Sequence, residues 1–255
     1  MIKQITTQIQ KEHLEAIRRK RVLLLLLLFV AAGMMSPLLA KLMPEIMKAA
    51  LPEGTSITLV TPTSVDAWTQ FFKNVSQFGL LALVLLSGDT LAGEVERGTL
   101  LPLLPLGLQR RAVVLGKASY LFLTWTVGYW LSFGICYGYT RYFFDDRLSP
   151  HLAAAVVPLW LYGLLLCGLL LLTSALAQNG LQSLLFFAII FAGSLLLGLF
   201  KRFASYNPFT LGSENAAWLA GTSVLQDSLP ALIIAPCLLI ASLWLAQVSF
   251  ARRLV

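Results

Sequence analysis

The chain has 255 residues, 58% of them hydrophobic and only 12% charged, and a formal net charge of +7. Soluble domains carry about 25% charged residues, so the deficit excludes an ordinary water-soluble fold and points to an integral membrane protein. The cationic surplus reads as topology and lipid contact. Nucleic-acid binding is excluded, because no Lys/Arg cluster is interleaved with the aromatics such a surface needs.

In chain order, residues 1–21 come first. Ile2, Ile5, Ile9 and Ile17 recur near helical spacing, and Lys3, Lys11, Glu12, Glu15, Arg18 and Arg19 fill the other positions. This predicts an amphipathic helix lying on the membrane surface. The polar stretch is too long for a signal peptide, and no small-residue cleavage site follows the apolar block. Arg18-Arg19-Lys20-Arg21 abuts the first apolar run and is expected to hold this end in the cytoplasm. The first span is placed at 22–43, with Pro37 and Pro44 breaking the helix near its far end. An outer segment follows at 44–67, marked by Pro52, Gly54 and Pro62.

The second span, 68–88, returns inward, and 89–117 is a cytoplasmic loop. Spans at 118–140 and 152–177 flank a short outer loop. Gln178-Asn179-Gly180 reads as a tight inner turn before a fifth span at 181–200. The outer segment 201–229 is broken at Asn207-Pro208, and Trp218 is expected at its interface. The sixth span, 230–250, ends on Arg252-Arg253. The expected fold is therefore an all-α integral membrane protein, one domain over 1–255. Six transmembrane helices follow an amphipathic N-terminal helix, and both termini are cytoplasmic. Of the 19 Lys and Arg residues, 12 fall on the predicted inner side and 7 on the outer, where Lys201-Arg202 counts against the bias.

The centres of the six spans hold no Asp, Glu, Lys, Arg or His. Ion-coupled carriers place ionisable groups at mid-membrane, and intramembrane hydrolases need a nucleophile with a base or metal. Neither set is visible, so no catalytic residue, metal site or cofactor is expected, and energy for any uphill movement must come from a partner. Ser132, Thr173, Ser174, Ser194 and Ser242 read as helix-packing residues. Cys136, Cys167 and Cys237 lie in apolar runs and read as small fillers. Trp125, Tyr129, Trp130, Phe133, Tyr137, Tyr139, Tyr142, Phe143 and Phe144 crowd the third span toward its outer end. They read as an interfacial belt, or alternatively as the lining of a path for an amphipathic substrate.

The most informative stretch is 87–117, a compact polar segment between two apolar runs. Asp89 is followed by Glu94-Val95-Glu96-Arg97-Gly98-Thr99-Leu100, then Leu103-Leu104, Arg110-Arg111 and Leu115-Gly116-Lys117. Gly98, Pro102, Pro105 and Gly107 break what would be a short surface helix, with acids at one end and bases at the other. This pattern, with the basic block, the six-span layout and Asn207-Pro208-Phe209, resembles the permease family of type-2 ABC transporters. There, Glu-x-Glu-x-Gly-Thr-Leu follows the second span and a Gly-Lys opens the third; Gly107 stands where the family often has Pro.

The resemblance implies a permease subunit that pairs with a second permease copy or a sister permease. It also implies docking to cytoplasmic ABC ATPase subunits that bind the ATP. Glu94, Glu96, Arg97, Gly98, Thr99, Arg110 and Arg111 would couple the chain to the ATPase. The chain has no Gly-x-x-x-x-Gly-Lys-Ser/Thr loop and is not expected to hydrolyse ATP itself. Charge-free, aromatic-rich spans suit export of an amphipathic or lipophilic cargo such as a peptide antibiotic, drug or lipid-like molecule. The alternative is a membrane-embedded immunity or scaffold protein with no transport cycle.

Overall fold

A computed structural model describes residues 2–50, 61–99, 109–146, 151–200 and 205–252. Pro52, Gly54, Pro102, Leu103, Leu104, Pro105, Gly107, Lys201, Arg202 and Arg253 lie outside the described residues. The described residues form helices and turns, in the order α1 (Ile2–Arg18), α2 (Arg21–Ala50), α3 (Ser64–Asn74), a π-helical turn (Val75–Gly79), α4 (Leu80–Ser87), α5 (Ala92–Glu96), α6 (Arg110–Phe143), α7 (Leu152–Leu176), α8 (Gly180–Gly198), α9 (Asn215–Ala220) and α10 (Leu229–Arg252). Short 3-10 turns at Pro208–Gly212 and Leu225–Ser228 flank α9.

Five stretches are long and apolar enough to cross a bilayer: Arg21–Lys48, Ser64–Glu96 (whose apolar part ends at Ser87), Leu152–Leu176, Gly180–Gly198 and Leu225–Arg252. The third predicted span lies in α6, whose 34 residues reach about 51 Å. Its Trp, Tyr and Gly content dilutes its hydropathy, and it is not among the five.

Two elements differ from expectation. Pro37 and Pro44 do not end the first span; α2 continues through both to Ala50. A helix inside a packed bundle tolerates proline; Ser36 Oγ, one residue before Pro37, donates to the Ala32 carbonyl at 2.5 Å, while the carbonyl that Pro37 frees is that of Gly33. The second span is interrupted at Val75–Gly79 by a π turn. Asn74 Nδ2 donates to Ser36 Oγ at 2.9 Å, and Ser76 Oγ donates to the Gly212 carbonyl at 3.0 Å. Polar side chains thus tie the widened turn to α2 and to the 3-10 turn at Pro208–Gly212.

α7 is the central helix, packed by α10, α6 and α8, with α9 against it. α2 lies along α6 and α3, and α1 lies along α6. The aromatics of α6 divide. Trp125 and Tyr129 are buried and pack with Phe29 and Phe71, whereas Tyr137 and Tyr142 are exposed. Trp125 Nε1 donates to the Trp160 carbonyl at 2.9 Å and Tyr129 Oη to the Val156 carbonyl at 2.7 Å. Asn215 Nδ2 donates to the Ala155 carbonyl at 2.9 Å. The three accepting carbonyls lie within three residues of Pro158 along α7. Gly163 makes the contact possible, because a Cβ there would lie 2.0 Å from the Trp125 ring. Trp125 and Tyr129 are therefore core residues, and Trp218 is buried as well.

Candidate functional site

The charged groups of α1, the 88–99 segment and the start of α6 gather at one end of the molecule, with the polar turn between α7 and α8 and the end of α10. After Ser87 the chain turns sharply, with Thr90 Oγ1 bonded to the Ser87 carbonyl. Ser174 Oγ, on the last turns of α7, accepts both Leu91 N–H and Ala92 N–H at 2.8 Å. Ser183 Oγ of α8 donates to the Gly88 carbonyl at 2.6 Å. Two serines on separate helices therefore pin the start of α5. Ser174, read from sequence as a packing residue, is one of them.

α5 is five residues long and stops at Gly98. Gly98 has φ +64°, a left-handed backbone that glycine adopts without Cβ strain. Gly98 N–H donates to the Val95 carbonyl at 3.0 Å and Thr99 N–H to the Glu94 carbonyl at 3.1 Å, closing the helix C-terminus. The short helix has two faces. Ala92, Gly93 and Glu94 are buried, and Glu96, Arg97 and Thr99 are exposed.

Glu94 is 3% exposed. Its Oε1 receives Lys11 Nζ of α1 at 2.5 Å and Lys117 Nζ of α6 at 3.2 Å. Lys117, 1% exposed, also donates to Glu12 Oε1 at 2.6 Å, and Gln8 Nε2 donates to the same oxygen at 3.0 Å. Burial by itself would raise the Glu94 carboxyl, but the ammonium groups of Lys117 and Lys11 outweigh it and hold the group below its ordinary value of 4.5. One buried cation, Lys117, and two buried anions, Glu12 and Glu94, thus join α1, α5 and α6. Gly116 permits the approach, since a Cβ there would lie 2.7 Å from Gln8.

A second ion pair lies beside the first. Arg21 Nη1 reaches Asp89 Oδ1 at 3.1 Å, and Arg97 Nη1 reaches Asp89 Oδ2 at 3.9 Å. Glu96 Oε2 accepts Gly180 N–H at 3.3 Å, at the start of α8. Arg110 Nη1 donates to the Phe250 carbonyl at 3.4 Å and the Ala251 carbonyl at 3.2 Å, capping α10 where its dipole favours a cation. Arg111 is exposed beside it.

Of the seven residues singled out from sequence, Glu96, Arg97, Thr99 and Arg111 stand on the surface of this end, and Gly98 shapes it. Arg110 is half-buried against α10, and Glu94 faces inward. Glu12 and Lys117 were not singled out as site residues. Their signal was present: an acid on a helix read as lipid-facing, and a lysine at the mouth of an apolar span. Each is out of place unless paired.

A buried charged knot beneath a small exposed charged surface, on a bundle of apolar helices, defines a multi-pass membrane protein with a polar handle at one end. The family model described as ABC-2 family transporter protein matches residues 7–251. The chain belongs to that family; it is a permease component of membrane transport and not itself an enzyme, and the family typically works with ATPase subunits. No curated protein matches the chain.

Proposed function

We propose that the chain is the membrane-spanning subunit of an ABC exporter with six spans and cytoplasmic termini, paired with a second permease copy and driven by separate ATPase subunits. The observation that carries this reading is the division of α5. Glu96, Arg97 and Thr99, with Arg111 of α6, form the exposed charged surface on which the ATPase docks. Glu94 transmits the movement, because its carboxylate is tied to α1 and α6 at once. Displacement of α5 by nucleotide-driven closure of the ATPase pulls on Lys117 and so on α6, and on Ser174 and so on α7. Charged contacts on a small surface favour specificity and register. The cargo is amphipathic or lipophilic, in keeping with spans whose centres lack ionisable groups, and ATP is held by the partner alone.

The test is purification in mild detergent. The chain with its partner ATPase hydrolyses ATP, and the chain alone does not. Reversing Glu96→Lys, Arg97→Glu and Arg111→Glu together lowers coupled hydrolysis and transport at least tenfold while the protein still inserts. Unchanged transport in that variant overturns the docking assignment.

A further inference from the structure

The corner between α1 and α2 is built as a seat for charge. α1 ends at Arg18 and α2 begins at Arg21. Between them Lys20 takes φ +57°, among the described residues the one non-glycine position with a left-handed backbone, a conformation that crowds the Cβ of an L-residue. The turn is closed by Arg19 N–H to the Glu15 carbonyl and Lys20 N–H to the Ile17 carbonyl, both at 2.9 Å. Two of the four cations are paired: Arg19 with Glu15 along the surface of α1 at 2.9 Å, and Arg21 with Asp89 at 3.1 Å. Arg18 and Lys20 are exposed, and no acid among the described residues pairs with either.

The apolar surface begins at the same corner. Ile17 is 51% exposed, and on the first turns of α2 Leu23 is 66% and Leu27 60% exposed. The free cations therefore stand at the level where the molecular surface changes from polar to apolar. That level is where a phospholipid carries its phosphate, with its acyl chains beside the leucines. We propose that this corner binds the headgroup of an anionic phospholipid. A zwitterionic headgroup would bring its own ammonium against Arg18 and Lys20, whereas an anionic headgroup such as phosphatidylglycerol has none. The seat lies two turns of α1 from the Lys11–Glu94 pair, so a bound lipid holds α1 in the position from which it grips α5. The inference needs only that the chain spans a membrane and stands apart from the ATPase reading.

The experiment titrates fluorescent phosphatidylglycerol and fluorescent phosphatidylcholine against the purified full chain in non-ionic detergent. The wild-type chain prefers phosphatidylglycerol. Arg18→Gln with Lys20→Asn weakens that binding by about fivefold per cation removed; Asn tolerates the left-handed backbone, so the corner keeps its shape. Arg18→Lys with Lys20→Arg retains the affinity. A control with the same charge loss elsewhere, Lys3→Gln with Arg252→Gln, binds like the wild type. The proposal is overturned if the wild type shows no preference, if the corner variant binds equally well, or if the control loses as much. Displacement of the lipid by millimolar inorganic phosphate would also overturn it, showing a site for free phosphate instead.

Discussion

At the residue scale the decisive pair is Lys117 and Glu94. An unpaired charge left behind in a buried site is costly, so Lys117→Met, which leaves Glu12 without a cation and Glu94 with Lys11 alone, should destabilise the detergent-solubilised chain by about 3 kcal/mol. Combining it with Glu12→Gln and Glu94→Gln should restore much of the loss, because the neutral set has no stranded charge. Thermal unfolding followed by tryptophan fluorescence reads both, and a Lys117→Met chain as stable as wild type would show that the pair is not closed. Gly98→Ala is a milder test. The added Cβ is strained at φ +64° and should cost about 1 kcal/mol, loosening the end of α5.

The sequence pattern placed Glu94, Glu96 and Arg97 together but could not say which faced inward. A five-residue helix has too little periodicity for that, and its orientation is set by Ser174 and Ser183, which lie some 80 and 90 positions further along the chain.

At the element scale, the ion-pair knot makes α1, α5 and α6 one mechanical unit. Glu94 is held below its ordinary carboxylate value in the folded chain. A depressed carboxylate contributes stability that is present above the unfolded value and is lost as pH falls through the folded one. The contact should therefore be unaffected from neutral pH down to about 4.5, and weaken below it. The distance between spin labels placed on α1 and α6 should stay the same from pH 8 to 5 and lengthen below. The Glu94→Gln chain should not show that lengthening, and the same lengthening in that variant would remove Glu94 as its cause.

The apolar runs were legible because about 20 consecutive apolar residues admit few alternatives. The end of α2 was not, because whether a proline ends a helix depends on the helices packed around it, which spacing along the chain does not show. The aromatic run of α6 was ambiguous for a related reason. Whether a Trp faces lipid, substrate or core depends on its neighbours, and Gly163 on α7 is what admits Trp125 to the core.

At the scale of the whole molecule, α1, the 88–99 segment, the α7–α8 turn and the end of α10 share one end. Family membership over residues 7–251 makes the chain a transport component. On the proposed reading it is a gate without a motor, and its charged end meets the ATPase. The measurement that tests this most directly is accessibility of position 96. A chain carrying Glu96→Cys, with Cys237 replaced by Ser, is treated with a membrane-impermeant maleimide in right-side-out and in inside-out vesicles. The account predicts labelling only in inside-out vesicles, and protection when the ATPase subunit is bound. Labelling from the outer face, or equal labelling with and without the ATPase, would contradict it.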